Sequence, residues 1–235
     1  MDTALKRPVK VMEKEKISKD VSFIVPTLNE EEYLEKCLES IKKQEVSKEI
    51  IVVDGGSSDE TLNIAEKYAD KIVYGVNGRG ESRDKGAKQA ENELLVFVDA
   101  DTELDENFTS EVMEFMENNE LDACATKFKM TGIRSKLIQG LGNTVFPRMK
   151  PALLPGFNTV VRKHIYDYSK GFEDIAGEDL QFSKEIAKYG EVGIHPDKLV
   201  VNSGRRVKKY GLTGVLLYYT WKDLRRRKNN LASAI

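Results

Sequence analysis

The sequence is poor in cysteine and carries no strong charge of one sign. Its two cysteines, Cys37 and Cys124, are far apart in a chain of 235 residues. Such usage argues against a disulfide framework and a zinc site, and it is typical of a reducing compartment. Lys and Arg number 37 against 39 Asp and Glu. Because the charges nearly cancel, the sequence predicts no nucleic-acid partner.

The sequence also lacks long apolar runs. None reaches the roughly 18 residues that a membrane-spanning helix needs. Residues 1–20 repeat Lys and Glu around no apolar core, so we expect a mobile tail there rather than a secretory signal. With 40% hydrophobic and 32% charged residues, the chain has the composition of a globular protein with one large α/β domain or two small ones.

What the sequence does have is an apolar run that ends in two carboxylates. Residues 94–98 are all apolar, which is typical of a strand buried on both faces, and Asp99 and Asp101 follow. Open α/β sheets bind ligands at the carboxyl ends of their strands. Two close carboxylates repel each other unless a cation lies between them, and hard divalent cations prefer oxygen ligands. From this pair alone, a metal site and an acidic turn that only starts the next helix are equally good interpretations.

The first 101 residues alternate strand-like and helix-like segments. Strands are predicted at four apolar runs, residues 21–25, 50–53, 72–74 and 94–98. This alternation predicts a parallel sheet with right-handed crossovers and helices on both faces. Polar residues stand at the predicted strand ends and should gather along one edge: Thr27, Asn29, Asp54, Asp99 and Asp101.

Capping residues are predicted for the first two helices of this alternation. Asn29 precedes the first helix, and Ser57 or Ser58 precedes the second.

The second half of the sequence is less regular. Strands are predicted at residues 121–128, 157–161, 192–194 and 199–201. Residues 131–156 are apolar yet basic and rich in Gly and Pro, so we expect a partly helical excursion outside the sheet. A helix is predicted to begin at Glu178 and Asp179, where acidic residues favour the positive end of the helix dipole.

Two enzyme classes fit these patterns poorly. A dinucleotide-binding dehydrogenase should have its glycine fingerprint after the first strand, where this chain has Pro-Thr-Leu-Asn-Glu. A haloacid-type phosphatase sets Asp-x-Asp after its first strand, followed two residues later by Thr or Val. Here the pair follows the fourth strand, and Glu103 stands at that position.

Four motifs in order resemble family-2 glycosyltransferases of the GT-A fold. They are Ile-Val-Pro-Thr-Leu-Asn-Glu at 24–30, Val-Val-Asp-Gly-Gly-Ser-Ser-Asp at 52–59, Phe-Val-Asp-Ala-Asp at 97–101, and Glu178-Asp179. The resemblance runs from residue 21 to about residue 206. It implies an α/β fold with a mostly parallel GT-A-type sheet flanked by helices. It also implies a nucleotide-diphosphate sugar donor, divalent Mn or Mg as cofactor, and inverting transfer.

The resemblance also implies roles for individual residues. Asp179 would be the catalytic base. The nucleotide sugar would be bound by Pro26, Thr27, Glu30, Asp54, Arg83, Asp99, Arg205 and Arg206. The metal would be held by Asp101, with Asp99 and Glu103 as further ligands.

The C-terminal segment is basic and aromatic. Residues 205–235 carry many Lys and Arg against the single acid Asp223, with apolar and aromatic residues between them. We expect an amphipathic helical appendage, either lying on an anionic membrane surface or packing on the sheet. The expected organisation is a tail at 1–20, a GT-A domain at 21–204 and this appendage at 205–235.

The expected acceptor is a glycan or a polyprenyl or other lipid-linked molecule. The expected location is the cytoplasm, with peripheral attachment to the inner face of the cell membrane. Two other functions stay open on the sequence: a metal-dependent phosphate-ester hydrolase that uses the Asp-x-Asp pair, and a non-catalytic protein that binds nucleotide sugars.

Overall fold

A computed structural model describes residues 20–75, 78–173, 175, 177–205, 207–209 and 211. The predicted tail at 1–20 lies almost entirely outside these residues, as do Arg206 and most of the appendage predicted at 205–235. None of the helices that the structure describes is long and apolar enough to cross a membrane.

The described residues form one eight-stranded sheet in the order β3-β2-β1-β4-β7-β6-β8-β5. Its strands are β1 (Asp20–Thr27), β2 (Ser47–Asp54), β3 (Lys71–Tyr74), β4 (Leu94–Val98), β5 (Thr102–Leu104), β6 (Ala123–Met130), β7 (Asn158–Arg162) and β8 (Val192–Asn202). Strands β1 to β4 are parallel to one another, and so are β6 and β8. Strands β7 and β5 run antiparallel to their neighbours. The predicted mostly parallel α/β sheet is therefore confirmed.

Helices cover both faces of the sheet. They are α1 (Leu34–Lys42), α2 (Thr61–Tyr68), α3 (Arg79–Gln89), α4 (Phe108–Asn118), α5 (Ser135–Val145), α6 (Lys163–Tyr168) and α7 (Glu178–Ile186), with a 3-10 turn at Phe146–Arg148. Helices α1, α2 and α4 pack in one hydrophobic core, and α3, α6 and α7 pack in the other. In β4, Val96 faces the first core and Phe97 faces the second, so this strand is buried on both faces as predicted.

The prediction that Asn29 caps the first helix is wrong. Helix α1 begins only at Leu34, and Asn29 has the left-handed φ of 53°. Its side-chain oxygen instead accepts the backbone N–H of Ser58 at 2.9 Å. Asn tolerates this left-handed backbone conformation better than most residues. Through its bond to Ser58, it ties the loop after β1 to the loop after β2.

The prediction that Ser57 or Ser58 caps α2 is also wrong, because Glu60 stands at the cap position. Asp59 Oδ1 accepts the N–H of Thr61 at 3.0 Å. The Ser57 hydroxyl instead donates to Asp54 Oδ1 and accepts the backbone N–H of Asn29.

Three details of the second half differ from the prediction. Residues 192–194 and 199–201 belong to one strand, β8, which passes a register irregularity opposite Thr126–Phe128. Strand β5 and helix α6 were not predicted. Both are short, and β5 is defined only by its pairing with β8, which no local pattern reveals.

Candidate active site

The ends of β1 and β2 are joined through Asp54. The register pairs Thr27 with Asp54, and the Thr27 hydroxyl donates to Asp54 Oδ1 at 3.3 Å. Asp54 Oδ2 accepts the backbone N–H groups of Gly56 and Ser57, both at 2.9 Å. Gly56 has a φ of 95°, which glycine adopts without a Cβ clash. Asp54 therefore fixes the loop after β2, at the edge of the sheet where the strands end.

Arg83 is a buried cation beneath the end of β4. Its side chain is 1% exposed, and Nη2 donates to Asp99 Oδ1 at 2.6 Å. Its Nη1 lies 3.7 Å from Glu178 Oε1 and 3.7 Å from Asp179 Oδ1. The guanidinium also lies 5.1 Å from the ring centre of Phe172. Arg83 therefore joins the carboxylate after β4 to the acidic pair that opens α7.

Arg79 is a second cation of this cluster that sequence reasoning missed. Its Nη2 lies 3.0 Å from Glu178 Oε1. Arg79 and Arg83 are four residues apart on α3, and residues at this spacing share a helix face. That spacing was the signal in the sequence that could have found Arg79.

Asp179 is a carboxylate with a raised pKa at the first turn of α7. Its side chain is 35% exposed, yet its Oδ1 is buried and accepts no hydrogen bond from the residues that the structure describes. Loss of hydration raises the pKa of Asp179 to about 6, although the nearby Arg83 acts to lower it. A carboxylate that titrates near neutrality can both accept and release a proton at physiological pH.

Gly156 provides the space between Arg83 and Asp179. A Cβ built at residue 156 would lie 2.5 Å from Arg83 Cζ and 2.7 Å from Asp179 Oδ1. Real Cβ atoms do not approach other atoms so closely, so a larger residue at position 156 would displace the side chain of Arg83 or Asp179. Nothing local in the sequence distinguishes Gly156 from the other glycines of the excursion, and sequence reasoning gave it no role.

Asp101 is held by the residues that follow β8. Its Oδ1 accepts from Asn202 Nδ2 at 3.0 Å, and its Oδ2 accepts from the Ser203 hydroxyl at 2.6 Å. Arg205 Nε lies 3.2 Å from the same Oδ2. The carboxylate is therefore oriented by three partners, none of which is adjacent to it in the sequence.

Arg205 connects Asp101 to Glu30. Its two terminal nitrogens bond both carboxylate oxygens of Glu30, and its guanidinium lies 5.1 Å from the ring centre of Tyr33. Burial raises the pKa of Glu30, although the bonds from Arg205 act to lower it. The structure thus brings together Glu30, Asp101 and Arg205, which the sequence analysis placed in one site.

The predicted metal ligands are only partly brought together. The described ranges contain no cluster of three His, Cys, Asp or Glu side chains that could hold an ion. Glu103 is exposed on β5 and lines a surface cavity of about 480 Å³ with lysines that include Lys36 and Lys129. The ligand set of Asp99, Asp101 and Glu103 stays a prediction.

The Gly156 position gives a direct test of this geometry. Replacing Gly156 with Ala should displace Arg83 or Asp179, and overpacking of this kind costs about 1–3 kcal/mol of stability. We expect Tm to fall and any activity that depends on Asp179 to fall at least tenfold. Gly140→Ala is the matched control, because a Cβ there meets nothing within 4 Å and Gly140 lies within α5. The control should leave Tm unchanged or raise it, and equal effects of the two changes would contradict the packing described.

Residues 22–163 match the family model described as Glycosyl transferase family 2. The poly(ribitol-phosphate) beta-N-acetylglucosaminyltransferase TarS of Staphylococcus aureus (strain Mu50) is 34% identical over 140 residues, 55% of this chain and 24% of TarS. A Campylobacter jejuni protein named GalNAc(5)-diNAcBac-PP-undecaprenol beta-1,3-glucosyltransferase is 37% identical over 103 residues, 40% of this chain and 33% of that protein. The chain thus spans only about a quarter to a third of the length of these curated relatives.

Solved structures show the same fold. S. aureus TarS 1-349 in complex with UDP has a TM-score of 0.67 and 26% identity, and the match covers 78% of this chain and 60% of that one. The mannosyltransferase PcManGT from Pyrobaculum calidifontis, in complex with GDP-Man and Mn²⁺, has a TM-score of 0.62 at 20% identity, covering 78% and 56%. Because the family model covers more than half of the chain and the solved relatives share its sheet, the chain belongs to glycosyl transferase family 2 and has the GT-A fold.

Proposed function

We propose that this chain is an inverting glycosyltransferase that moves a sugar from a nucleotide-diphosphate donor to an acceptor by direct displacement. The observation that carries the proposal is the position of Asp179, whose raised pKa suits a base, next to Arg83 and Asp99. The named relatives are glycosyltransferases, which leaves the hydrolase and the non-catalytic alternative without support.

The donor would lie over the ends of β1, β2 and β4. Pro26 and Thr27 occupy the last two positions of β1, and Asp54 holds the neighbouring loop. Glu30 borders the same space from the loop after β1. A solved structure of TarS contains UDP. This supports a donor for this chain in which the sugar is attached to a nucleoside diphosphate.

Arg205 would help to neutralise the donor diphosphate. In the structure its guanidinium bonds Glu30 and lies against Asp101. A planar guanidinium also binds phosphate oxygens through paired hydrogen bonds. Donor binding would therefore exchange part of the contact between Arg205 and Glu30 for contact with phosphate. Arg206, predicted for the same role, lies outside the described residues.

The carboxylates after β4 fit a hard divalent cation. Asp101 offers oxygen donors that Asn202 and Ser203 hold in one orientation, and Asp99 follows the same strand. Two protein carboxylates are enough for Mg or Mn, because substrate phosphates and water often supply the remaining ligands of these ions. Such an ion would offset the negative charge that develops on the departing diphosphate. Glu103, exposed on β5, is not required.

Asp179 would take the proton of an acceptor hydroxyl. Its carboxylate is partly exposed, so an acceptor can reach it, while its buried Oδ1 faces Arg83. Arg83 and Arg79 would hold the acidic pair at the start of α7 in position. If the acceptor is a phosphate, its oxygen is already anionic and the proton transfer matters less.

The acceptor would lie on the side of residues 131–156, because this excursion ends at Gly156 beside Asp179. The names of TarS and of the Campylobacter relative refer to a poly(ribitol-phosphate) and to an undecaprenol-linked glycan. We propose a polymer or lipid-linked acceptor for this chain, handled in the cytoplasm at the inner face of the membrane, with the segment at 205–235 as a peripheral contact.

Donor and metal binding can be measured by thermal unfolding with UDP, GDP, CDP and dTDP, each with and without Mn²⁺. One nucleotide at 100 times its Kd should add about 2.7 kcal/mol, or about 5–10 °C in Tm for a chain of this size. Asp101→Asn should remove the Mn²⁺-dependent part of the shift, and Glu103→Gln is the matched control that should keep it. A Tm that no nucleotide raises, or a shift lost in both variants alike, would contradict the proposed site.

A further inference from the structure

Helix α5 presents an apolar stripe to solvent. The stripe consists of four residues spaced four apart, Ile133, Leu137, Leu141 and Val145, of which the first lies in the turn before the helix. Their exposed fractions are 88%, 58%, 57% and 43%. Residues at this spacing lie on one face of a helix. Contiguous exposed apolar surface of this kind marks an interaction site more often than isolated apolar residues do.

The stripe faces outward because the other side of α5 is fixed to β6. The Asn143 side chain bonds the backbone of Phe128 through both its oxygen and its nitrogen, at 3.0 and 2.8 Å. Gln139 Oε1 accepts the N–H of Met130 at 2.8 Å. Gly142 lies so close to the ring of Phe128 that a Cβ there would be 2.7 Å from Cζ. The orientation of α5, and with it the exposure of the stripe, is therefore set by specific contacts.

The charges that flank the stripe in the sequence have one sign. No Asp or Glu occurs between Asp122 and Asp167, although the whole chain contains 39 acidic residues. Four exposed basic residues flank the stripe in sequence, Arg134, Lys136, Arg148 and Lys150. An apolar helix face bordered by Lys and Arg without acidic residues is the pattern of a helix that lies on anionic lipid.

The excursion at residues 131–156, which contains α5, is anchored at the candidate active site by both of its ends. At one end the Thr131 hydroxyl bonds the carbonyl of Ser203, and the Ser203 hydroxyl bonds Asp101. At the other end Gly156 lies against Arg83 and Asp179. A surface bound by α5 would therefore be held beside the site.

We propose that the apolar stripe of α5 inserts into the surface of an anionic bilayer and holds the catalytic edge at the membrane. The inference goes beyond the proposed function, because it requires neither a donor nor turnover.

Two parts of the protein itself could cover the stripe: a second copy of the chain, or the segment at 212–235. Charge complementarity favours lipid over both. Two copies meeting through this face would bring their basic residues together without acidic partners, and like charges across an interface oppose association. The segment at 212–235 is also basic, with Arg225, Arg226 and Arg227 against the single acid Asp223. Anionic headgroups supply the missing opposite charge.

Co-sedimentation of the full chain with lipid vesicles tests the proposal. We expect binding to vesicles of phosphatidylcholine with about 30% phosphatidylglycerol, weakened by added salt, and much weaker binding to phosphatidylcholine alone. Leu137→Gln combined with Leu141→Gln should weaken binding by about tenfold or more, because two leucines no longer enter the bilayer. Tyr168→Gln is the matched control, since Tyr168 is 63% exposed at the end of α6. This control should bind within about twofold of the wild type.

Each other outcome overturns the proposal. Absence of binding to anionic vesicles would do so, as would a double variant that binds like the wild type. A Tm drop in the double variant would show that another part of the chain covers the stripe, and a fall in solution mass from dimer to monomer would show that a second copy does. The nucleotide-dependent Tm shift of the double variant should match that of the wild type, so failure at the membrane is distinguishable from failure of the proposed transferase site.

Discussion

Replacing Asp179 with Asn should reduce transfer to a hydroxyl acceptor by about 10²- to 10⁴-fold, the usual contribution of a general base. The amide keeps the size of the side chain but cannot take a proton. Donor binding should change little, because Asn fills the same space beside Arg83, and the predicted contacts Thr27 and Asp54 lie on β1 and β2 rather than on α7. Single-turnover rates together with donor affinity, measured on both proteins, separate the two effects.

The pH profile provides the control for this assignment. Since burial raises the pKa of Asp179 to about 6, the wild-type rate should fall as pH drops through 6 and the base becomes protonated. The variant should show no such fall. With a phosphate acceptor, whose oxygen is already anionic, the loss in the variant should be smaller than with a hydroxyl acceptor. A variant that keeps the wild-type rate on a hydroxyl acceptor would show that Asp179 is not the base.

Replacing Arg83 with Met should destabilise the chain by about 3–5 kcal/mol, the usual cost of removing one partner from a buried ionic cluster. Asp99, Glu178 and Asp179 would lose the cation that lies between them. Methionine retains the length and flexibility of the side chain, so the effect of lost charge outweighs that of a cavity. Urea unfolding of the two proteins measures the difference.

Lys88→Ala is the matched control on the same helix. Lys88 pairs with Asp84 at the surface and is 70% exposed, so its loss should cost no more than about 0.5 kcal/mol. The deficit of Arg83→Met should also shrink as pH falls. Burial already raises the pKa of Asp179 in the folded state, and loss of the guanidinium removes the group that lowers it. Asp179 would therefore take up its proton on the folded chain first, and stability would rise toward low pH. Equal losses in the two variants at every pH would contradict the buried cluster.

The sequence predicted the parts of the fold that depend on local patterns. The apolar runs of β1, β2 and β4 gave their positions and their burial, and the polar residues at their ends do lie along one edge, as with Thr27 and Asp54. The site follows from this arrangement, because parallel strands place their carboxyl ends together.

The sequence could not predict which groups would pair across the site. Arg205 lies more than a hundred residues from both Glu30 and Asp101, and only the path of β8 brings it to them. Asn29 was expected to cap a helix but bonds the loop after β2. These contacts depend on how loops from different strands meet, which periodicity does not encode.

The most direct test of the central claim is to follow a reaction by ³¹P NMR with the nucleotide sugar that raises Tm, Mn²⁺ and a polyprenyl-phosphate or lipid-linked glycan extract. We predict release of the matching nucleoside diphosphate by the wild type, with acceptor-dependent loss of the donor, and little release by Asp101→Asn. Appearance of nucleoside monophosphate with sugar phosphate, or of inorganic phosphate, would contradict glycosyl transfer and identify a hydrolase.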